Sequence, residues 1–176
     1  MDATRLHHVS EQPGIGRFEP RVSPGAPDDS MPVVWAIDAL HLPNYLLPRD
    51  CPRVCWRDAR GASAQDRRRL LGGTPHVVAI SVDWLPRVLS TTLHVYAFDP
   101  APFVCIDPVA GYHVAQRAVT PLGCVEQVPT LSAFVERDVE LRFVDDVTEL
   151  IDLAATVAAS TLEFSCIRLP GRDRGR

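Results

Sequence analysis

The sequence predicts an α+β fold: a single domain built on one mixed, mainly antiparallel sheet with short helices. Three observations carry this expectation. Short β-branched and aromatic runs recur between turns rich in proline and glycine, only one stretch shows a long helical stripe, and no repeat or shift in composition divides the 176 residues. The domain is expected over residues 1–170, with Gly171 to Arg176 as a flexible polar tail. A chain of this length buries roughly 70% of its unfolded surface and needs no disulfide or metal staple.

Arg5 to Val9 alternates as a strand does, and Ser10 to Ser30 then forms a long loop through Pro13, Gly14, Gly16, Pro20, Pro24, Gly25 and Pro27. Val33 to Ile37 reads as a strand buried on both faces, followed by a brief helix with Pro43 in its first turn and Pro48 at its end. Arg53 to Trp56 reads as a strand. Ser63 caps a helix through Leu71 that Gly72-Gly73 stops. His76 to Val82, Leu93 to Phe98 and Phe103 to Ile106 are strands, with a short helix near Trp84 to Leu89 between the first two. Gly111 to Arg117 and Val119 to Val128 continue the strand pattern, the second at an edge or bulged because of Pro121. Pro129 and Thr130 open a helix to Arg137. Val139 to Val144 alternates, with Glu140 and Arg142 on a wet face. Asp145-Asp146 then opens the long helix, whose stripe is Val147, Leu150, Ile151, Ala154, Val157 and Ala158. Residues 160–169 fit either its prolongation or a final strand.

Composition closes several functional classes. All 18 basic residues are arginine, so Schiff-base chemistry, pyridoxal phosphate anchoring, the Walker phosphate loop and the protein-kinase site are excluded. A net charge of −4 argues against a surface that coats nucleic acid, but leaves room for a local arginine groove. No apolar run reaches the roughly 18 residues of a membrane span, and no apolar signal core opens the chain, so a cytoplasmic protein is expected. Five cysteines are an odd number, and Cys105, Cys124 and Cys166 sit in apolar contexts that suit reduced thiols. Cys51 and Cys55 form a C-x3-C pair without a second pair at zinc-ribbon spacing, and no metal site is expected.

Three segments carry chemistry beyond what a core requires. In LHHVS, His7 and His8 must face opposite sides of a strand, whereas His8 and Ser10 share one and can hydrogen-bond a ribose or phosphate. From Trp35 to Arg53, the rings of Trp35 and Tyr45 can stack on a planar base, with Arg49 and Arg53 as phosphate forks. The same rings and arginines also suit a core with a solvated rim. In STLEFSCIR, Glu163 lies among apolar residues and either pairs with an arginine or serves as a base. Tyr112 and His113 form a further candidate pair.

The stretches LHHVSEQPGIGRFEPR, VWAIDALHLPNYLLPRDCPRV, RLLGG, GYHVAQRAVTP and STLEFSCIRL resemble a small bacterial family of uncharacterised proteins. LHHVS is also similar to the first strand motif of ADP-ribosyltransferase-like and RNA 2′-phosphotransferase-like domains. There His8 falls on the motif histidine and Ser10 on its hydroxyl. VWAID with its short helix resembles the second motif, which implies Trp35 and Tyr45 beside a nicotinamide. GYHVAQRAVTP looks like the third motif strand without its glutamate, and Glu163 does not take that place. The resemblance implies an ADP-ribosyltransferase-like fold with His8 in the catalytic position and NAD as a substrate, a nucleic acid entering only as a terminal acceptor. The missing glutamate points equally to a noncatalytic module that binds a small molecule or peptide in the same groove. A third reading gives Cys51, Cys55 and nearby histidines a thiol or metal role.

Overall fold

The computed structural model describes residues 5–23, 27, 30–123 and 125–171. Its strands are β1 Leu6–Ser10, β2 Val34–Asp38, β3 Arg53–Arg57, β4 His76–Ser81, β5 Thr92–Phe98, β6 Val104–Asp107, β7 Tyr112–Ala115, β8 Glu126–Pro129, β9 Glu140–Val144 and β10 Glu163–Ile167. Helices α1 Ala64–Asp66, α2 Leu85–Ser90, α3 Thr130–Val135 and α4 Val147–Ala158 join them. The α+β class with mixed, mainly antiparallel sheets holds. The strands nevertheless form two sheets where the sequence suggests one, in two compact units: Met1–Tyr45 with Thr92–Val128, and Leu46–Thr91 with Pro129–Arg176.

The first unit carries the six-stranded sheet, in the order β6-β7-β2-β1-β5-β8. Its β1–β2, β1–β5, β2–β7 and β6–β7 pairings are antiparallel. Alternation along these strands buries Leu6, Val34, Ala36, Tyr96, Phe98 and Ala115 on one face, together with Phe18 and Val119. The Phe18 ring stands 5.1 Å from both Tyr96 and Phe98, edge-on to each, the favoured aromatic geometry. The loop after β1 is held by backbone pairs: Phe18 with Val119 at 2.9 and 3.0 Å, and Arg21 with Val33 at 3.0 and 3.1 Å. Residues 24–26 and 28–29 of the expected loop lie outside the described residues.

The second unit carries the sheet β10-β3-β4-β9, in which β4 pairs antiparallel with β3 and parallel with β9. One face packs Val54, Trp56, Val77, Ala79 and Val144 against Leu150, Ala154 and Val157 of α4. Burying each such aliphatic side chain stabilises by about 1.5–3 kcal/mol. Ser63 caps its helix as expected, accepting from the Asp66 amide at 3.0 Å. The chain winds as a π-turn over Arg67–Leu71 and ends at Gly72, whose φ of +66° suits glycine. The Asp66 carboxylate takes the Thr161 amide at 3.0 Å and hydroxyl at 2.6 Å, which ties down the approach to β10.

Three expectations change, and one open alternative is decided. Trp35 in β2 is 37% exposed while Ile37, on the same side of the strand, is buried, so that face is covered only in part. Val119 to Val128 is no single strand, because Val119 makes an isolated bridge and pairing resumes only in β8. The charged face of β9 is half-buried: Arg142 pairs with Glu140 at 2.7 Å and lies 5.1 Å over the Trp56 ring. Residues 160–169 resolve into β10, since Glu163 to Ile167 pair with Arg57 to Arg53 across an open edge of β3. Cys124 and residues 172–176 of the expected tail lie outside the described residues.

The start of α4 rests on Asp146, whose carboxylate accepts from the Thr148 amide at 2.7 Å and the Glu149 amide at 2.9 Å. Asp146→Ala is expected to lower stability by about 1 kcal/mol, read as a lower urea midpoint at unchanged slope.

Candidate functional site

The β1–β2 register decides which predicted site residues meet. Leu6 faces Asp38 and His7 faces Ile37, so His8 lies opposite Ala36 and Val9 opposite Trp35. His8 and Ser10 therefore leave the sheet on the Phe18 face, and Trp35 leaves on the other. His8 is engaged with its own unit: Nδ1 is 2.9 Å from the Trp35 carbonyl, and its ring sits 4.9 Å from Phe18. Ser10 Oγ accepts from the Gln12 amide at 3.0 Å and closes the turn after β1. The expected cleft uniting His8 and Ser10 with Trp35 and Tyr45 is thus corrected to two groups on opposite faces.

The Trp35 face holds an aromatic shelf. Tyr112 pairs with Ile37 across β2–β7, and its ring meets Trp35 edge-on at 5.6 Å and 84°. Tyr45, on the 3-10 turn Leu42–Tyr45, donates its hydroxyl to that of Tyr112 at 2.7 Å. Trp35 Nε1 donates to Ser23 Oγ at 2.9 Å, which pins the indole while leaving part of it exposed. Arg21, exposed, bridges to Val33 two residues before Trp35, so its side chain leaves on the indole's side.

At the end of β2 lies a pair the sequence reading passed over. Asp38 Oδ1 accepts from the His41 amide and from His41 Nδ1, both at 2.8 Å. Burial pushes the Asp38 carboxyl upward, but the hydrogen bonds and charge of His41, with the charge of His113, outweigh it and hold the group below the usual carboxylate range. An ionised carboxylate can only accept, so His41 Nδ1 is the donor in this contact. Nε2 is enclosed and has no hydrogen-bond partner among the described residues, and His41 is only 5% exposed. Gly111, at φ +72°, packs beneath the pair: a Cβ there would stand 2.3 Å from His41 Nδ1 and 2.8 Å from Asp38 Oδ2. His113, on the His8 face, places Nδ1 3.1 Å from the Gly111 carbonyl. The usable signals were Asp38-x-x-His41 at a strand exit and the lone Gly111 before β7.

Arg49, Arg53 and Glu163 belong to the second unit. Arg49 is exposed, as a phosphate fork requires. Arg53 is corrected: it is 3% exposed and donates to the carbonyls of Pro48 at 3.2 Å and Cys51 at 3.0 Å, bracing the turn before β3. Glu163 pairs with Arg57 at 3.0 Å on neighbouring strands, which realises the structural alternative for this carboxylate. A cleft of about 300 Å³ in the first unit is lined by Phe98, Asp99, Pro102, Arg117, Val119 and Thr120, none of them a predicted site residue. Burial pushes the Cys51 and Cys55 thiols up to about 12, against the charge of Arg53, which leaves them poor metal ligands. Among the described residues no cluster of three metal-ligating side chains occurs, and no helix is long and apolar enough to cross a membrane.

Fold and site together define the chain as an α+β protein whose polar and aromatic cluster is carried on an antiparallel sheet. It belongs to a family of unknown function, DUF6886, which it matches over residues 7–171. No curated protein and no solved structure matches it.

Two measurements check these assignments. Iodoacetamide on the native protein is expected to label exposed Cys105 within minutes and to spare Cys51 and Cys55 until urea is added, as read by peptide mass mapping. Because the Asp38 pKa is depressed on folding, its contribution is present above the unfolded carboxylate range and lost as pH falls through the folded value. The stability gap between wild type and Asp38→Asn should therefore be constant near neutrality and close only below about pH 4.

Proposed function

We propose that the chain binds a nucleotide of the NAD or ADP-ribose type, with the base stacked on the shelf of Trp35, Tyr112 and Tyr45. The observation that carries this reading is the partly exposed indole of Trp35, held edge-on by Tyr112 and anchored through Nε1 by Ser23. A pinned indole has little rotamer freedom left to lose, so stacking on it costs little ordering entropy. Arg21, whose bridge to Val33 puts it on the indole's side, is the cation this reading assigns to phosphate. The similarity of LHHVS and VWAID to ADP-ribosyltransferase-like motifs, and the fold it implies, favours the same ligand class.

One feature favours binding without transfer. His8 and Ser10, the motif groups that would serve a ribose, face away from Trp35 and are engaged with backbone, and the third motif strand lacks its glutamate. The module reading is therefore preferred to the transferase. Arg53 and Glu163, held by the Pro48–Cys51 turn and by Arg57, have no part in it.

Calorimetric titration with NAD, ADP-ribose and AMP tests the reading. Binding is expected, weakened in Trp35→Ala by roughly 5- to 150-fold, the range of one stacked base, and largely restored in Trp35→Phe. His8→Ala should leave affinity unchanged. Absence of heat with all three at millimolar concentration sinks the proposal, while release of nicotinamide from NAD would replace the module with a transferase.

A further inference from the structure

The cleft of the first unit lies apart from the aromatic shelf and shares no residue with it. Its volume of about 300 Å³ is at the lower end of the roughly 300–1,000 Å³ of small-molecule pockets, so it fits one compact ligand and not a dinucleotide. Phe98, Val119 and Pro102 line it with apolar surface. Two exposed side chains of opposite charge, Arg117 and Asp99, line the same cleft. They do not pair with each other, and among the described residues Arg117 makes no hydrogen bond or ion pair. Asp99 commits Oδ1 to the Ala101 amide at 2.9 Å, which leaves Oδ2 without a partner among the described residues. Main-chain donors add to the lining. Val119 gives its amide and carbonyl to Phe18 at 3.0 and 2.9 Å, so in this extended segment the amides of Ala118 and Thr120 lie on the edge away from Phe18. Neither amide is bonded among the described residues, and both residues line the cleft. Pro100, Pro102 and Pro121 restrict the two segments that form it, which lowers the entropy lost in ordering them around a ligand.

We propose that this cleft binds a free α-amino acid with an apolar side chain. The Arg117 guanidinium takes the α-carboxylate, Asp99 Oδ2 takes the α-ammonium, and the ligand's side chain lies on Phe98, Val119 and Pro102. Charge decides the ligand class. A simple anion would satisfy Arg117 but bring a like charge toward Asp99, and a simple cation would do the reverse. A zwitterion meets both groups at once. The guanidinium fork matches a carboxylate bidentately, and an ammonium, which only donates, suits an oxygen that only accepts. The Ala118 and Thr120 amides are further donors for the ligand's carboxylate. Because both charged side chains are exposed, each contact alone is worth little, and binding is expected to be weak and to need the two charges together with burial of the apolar side chain. The site is independent of the nucleotide reading, and either can fail while the other stands.

The test is an amide NMR titration of the full chain with L-leucine, with leucinamide, which lacks the carboxylate, and with 4-methylpentanoate, which lacks the ammonium. Leucine is expected to shift the Ala118 and Thr120 amides, and each analogue to bind about tenfold more weakly because one charged contact is lost. Arg117→Gln should abolish the advantage of leucine over leucinamide, and Asp99→Asn its advantage over 4-methylpentanoate. Both side chains are exposed, and asparagine keeps an oxygen for the Ala101 amide, so an unchanged spectrum away from the cleft is expected of each variant. The ranking of the three ligands on the unmodified protein decides the matter without any variant. Equal binding of leucine and 4-methylpentanoate overturns the proposal in favour of a plain carboxylate site. Equal binding of leucine and leucinamide overturns it in favour of an amine site. No shift at Ala118 or Thr120 with leucine at tens of millimolar, or leucine affinity unchanged in both variants, overturns it outright.

Discussion

The antiparallel register that sets Leu6 against Asp38 and His7 against Ile37 governs the chemistry available to the first unit. A slip of one residue would exchange the two faces of β1, sending His8 toward Trp35 and Leu6 out of the Phe18 cluster. The apolar side chains forbid that slip. Leu6, Tyr96 and Phe98 lie on the face covered by Phe18, and the Val95, Tyr96 and Ala97 partners of β5 continue the same alternation across β1. Several buried aliphatic and aromatic groups, each worth about 1.5–3 kcal/mol, outweigh any single polar contact that a different register would offer His8. Hydrophobic alternation thereby decides which polar residues share a face, and it separates the imidazole of the first motif from the rings of the second.

A second constraint acts at the end of β2. The bare Cα of Gly111 lets the β7 strand start against Asp38 and His41, and its positive φ turns the chain into Tyr112. Any side chain there would push on the imidazole and the carboxylate at once, and would pay the cost of a left-handed backbone as well. The position of Tyr112, hence its hydrogen bond with Tyr45 and its edge contact with Trp35, thus depends on a glycine outside the shelf. Sequence proximity hides this link, because Gly111 and His41 are distant along the chain and adjacent only through β2–β7 pairing.

Local rules made most of the fold legible. The caps at Ser63 and Asp146, the stop at Gly72 and the strands with β-branched runs all follow from interactions within a few residues. The partition of strands between two sheets was not legible, because alternation says which face is apolar and not which strand lies alongside. Val119 shows the same limit: its apolar context reads as strand, yet a bridge to Phe18 from the distant loop claims its backbone. For the site, Trp35 with Tyr45 and, separately, Tyr112 were visible in sequence as aromatic candidates, but the contacts that join Tyr112 to the other two arise only through β2–β7 pairing. Arg53 and Glu163 were not separable from ligand-binding residues, because a buried brace and a surface fork have the same side chain. Only burial and the carbonyls of Pro48 and Cys51 tell them apart.

The same distinction sorts the polar groups of this unit. A polar group that stabilises a fold has its hydrogen-bonding capacity met by the chain, as Ser10 does with the Gln12 amide and Asp146 with two helical amides. His41 meets half of its capacity in this way, through Nδ1. Its other nitrogen is enclosed without a partner among the described residues. An apolar residue on the turn could pack there without the roughly 1–3 kcal/mol that an unmet buried polar group costs. An imidazole oriented by a carboxylate at that point is therefore poorly explained by packing alone, and what the chain gains from it is the hold on Asp38 at the end of β2.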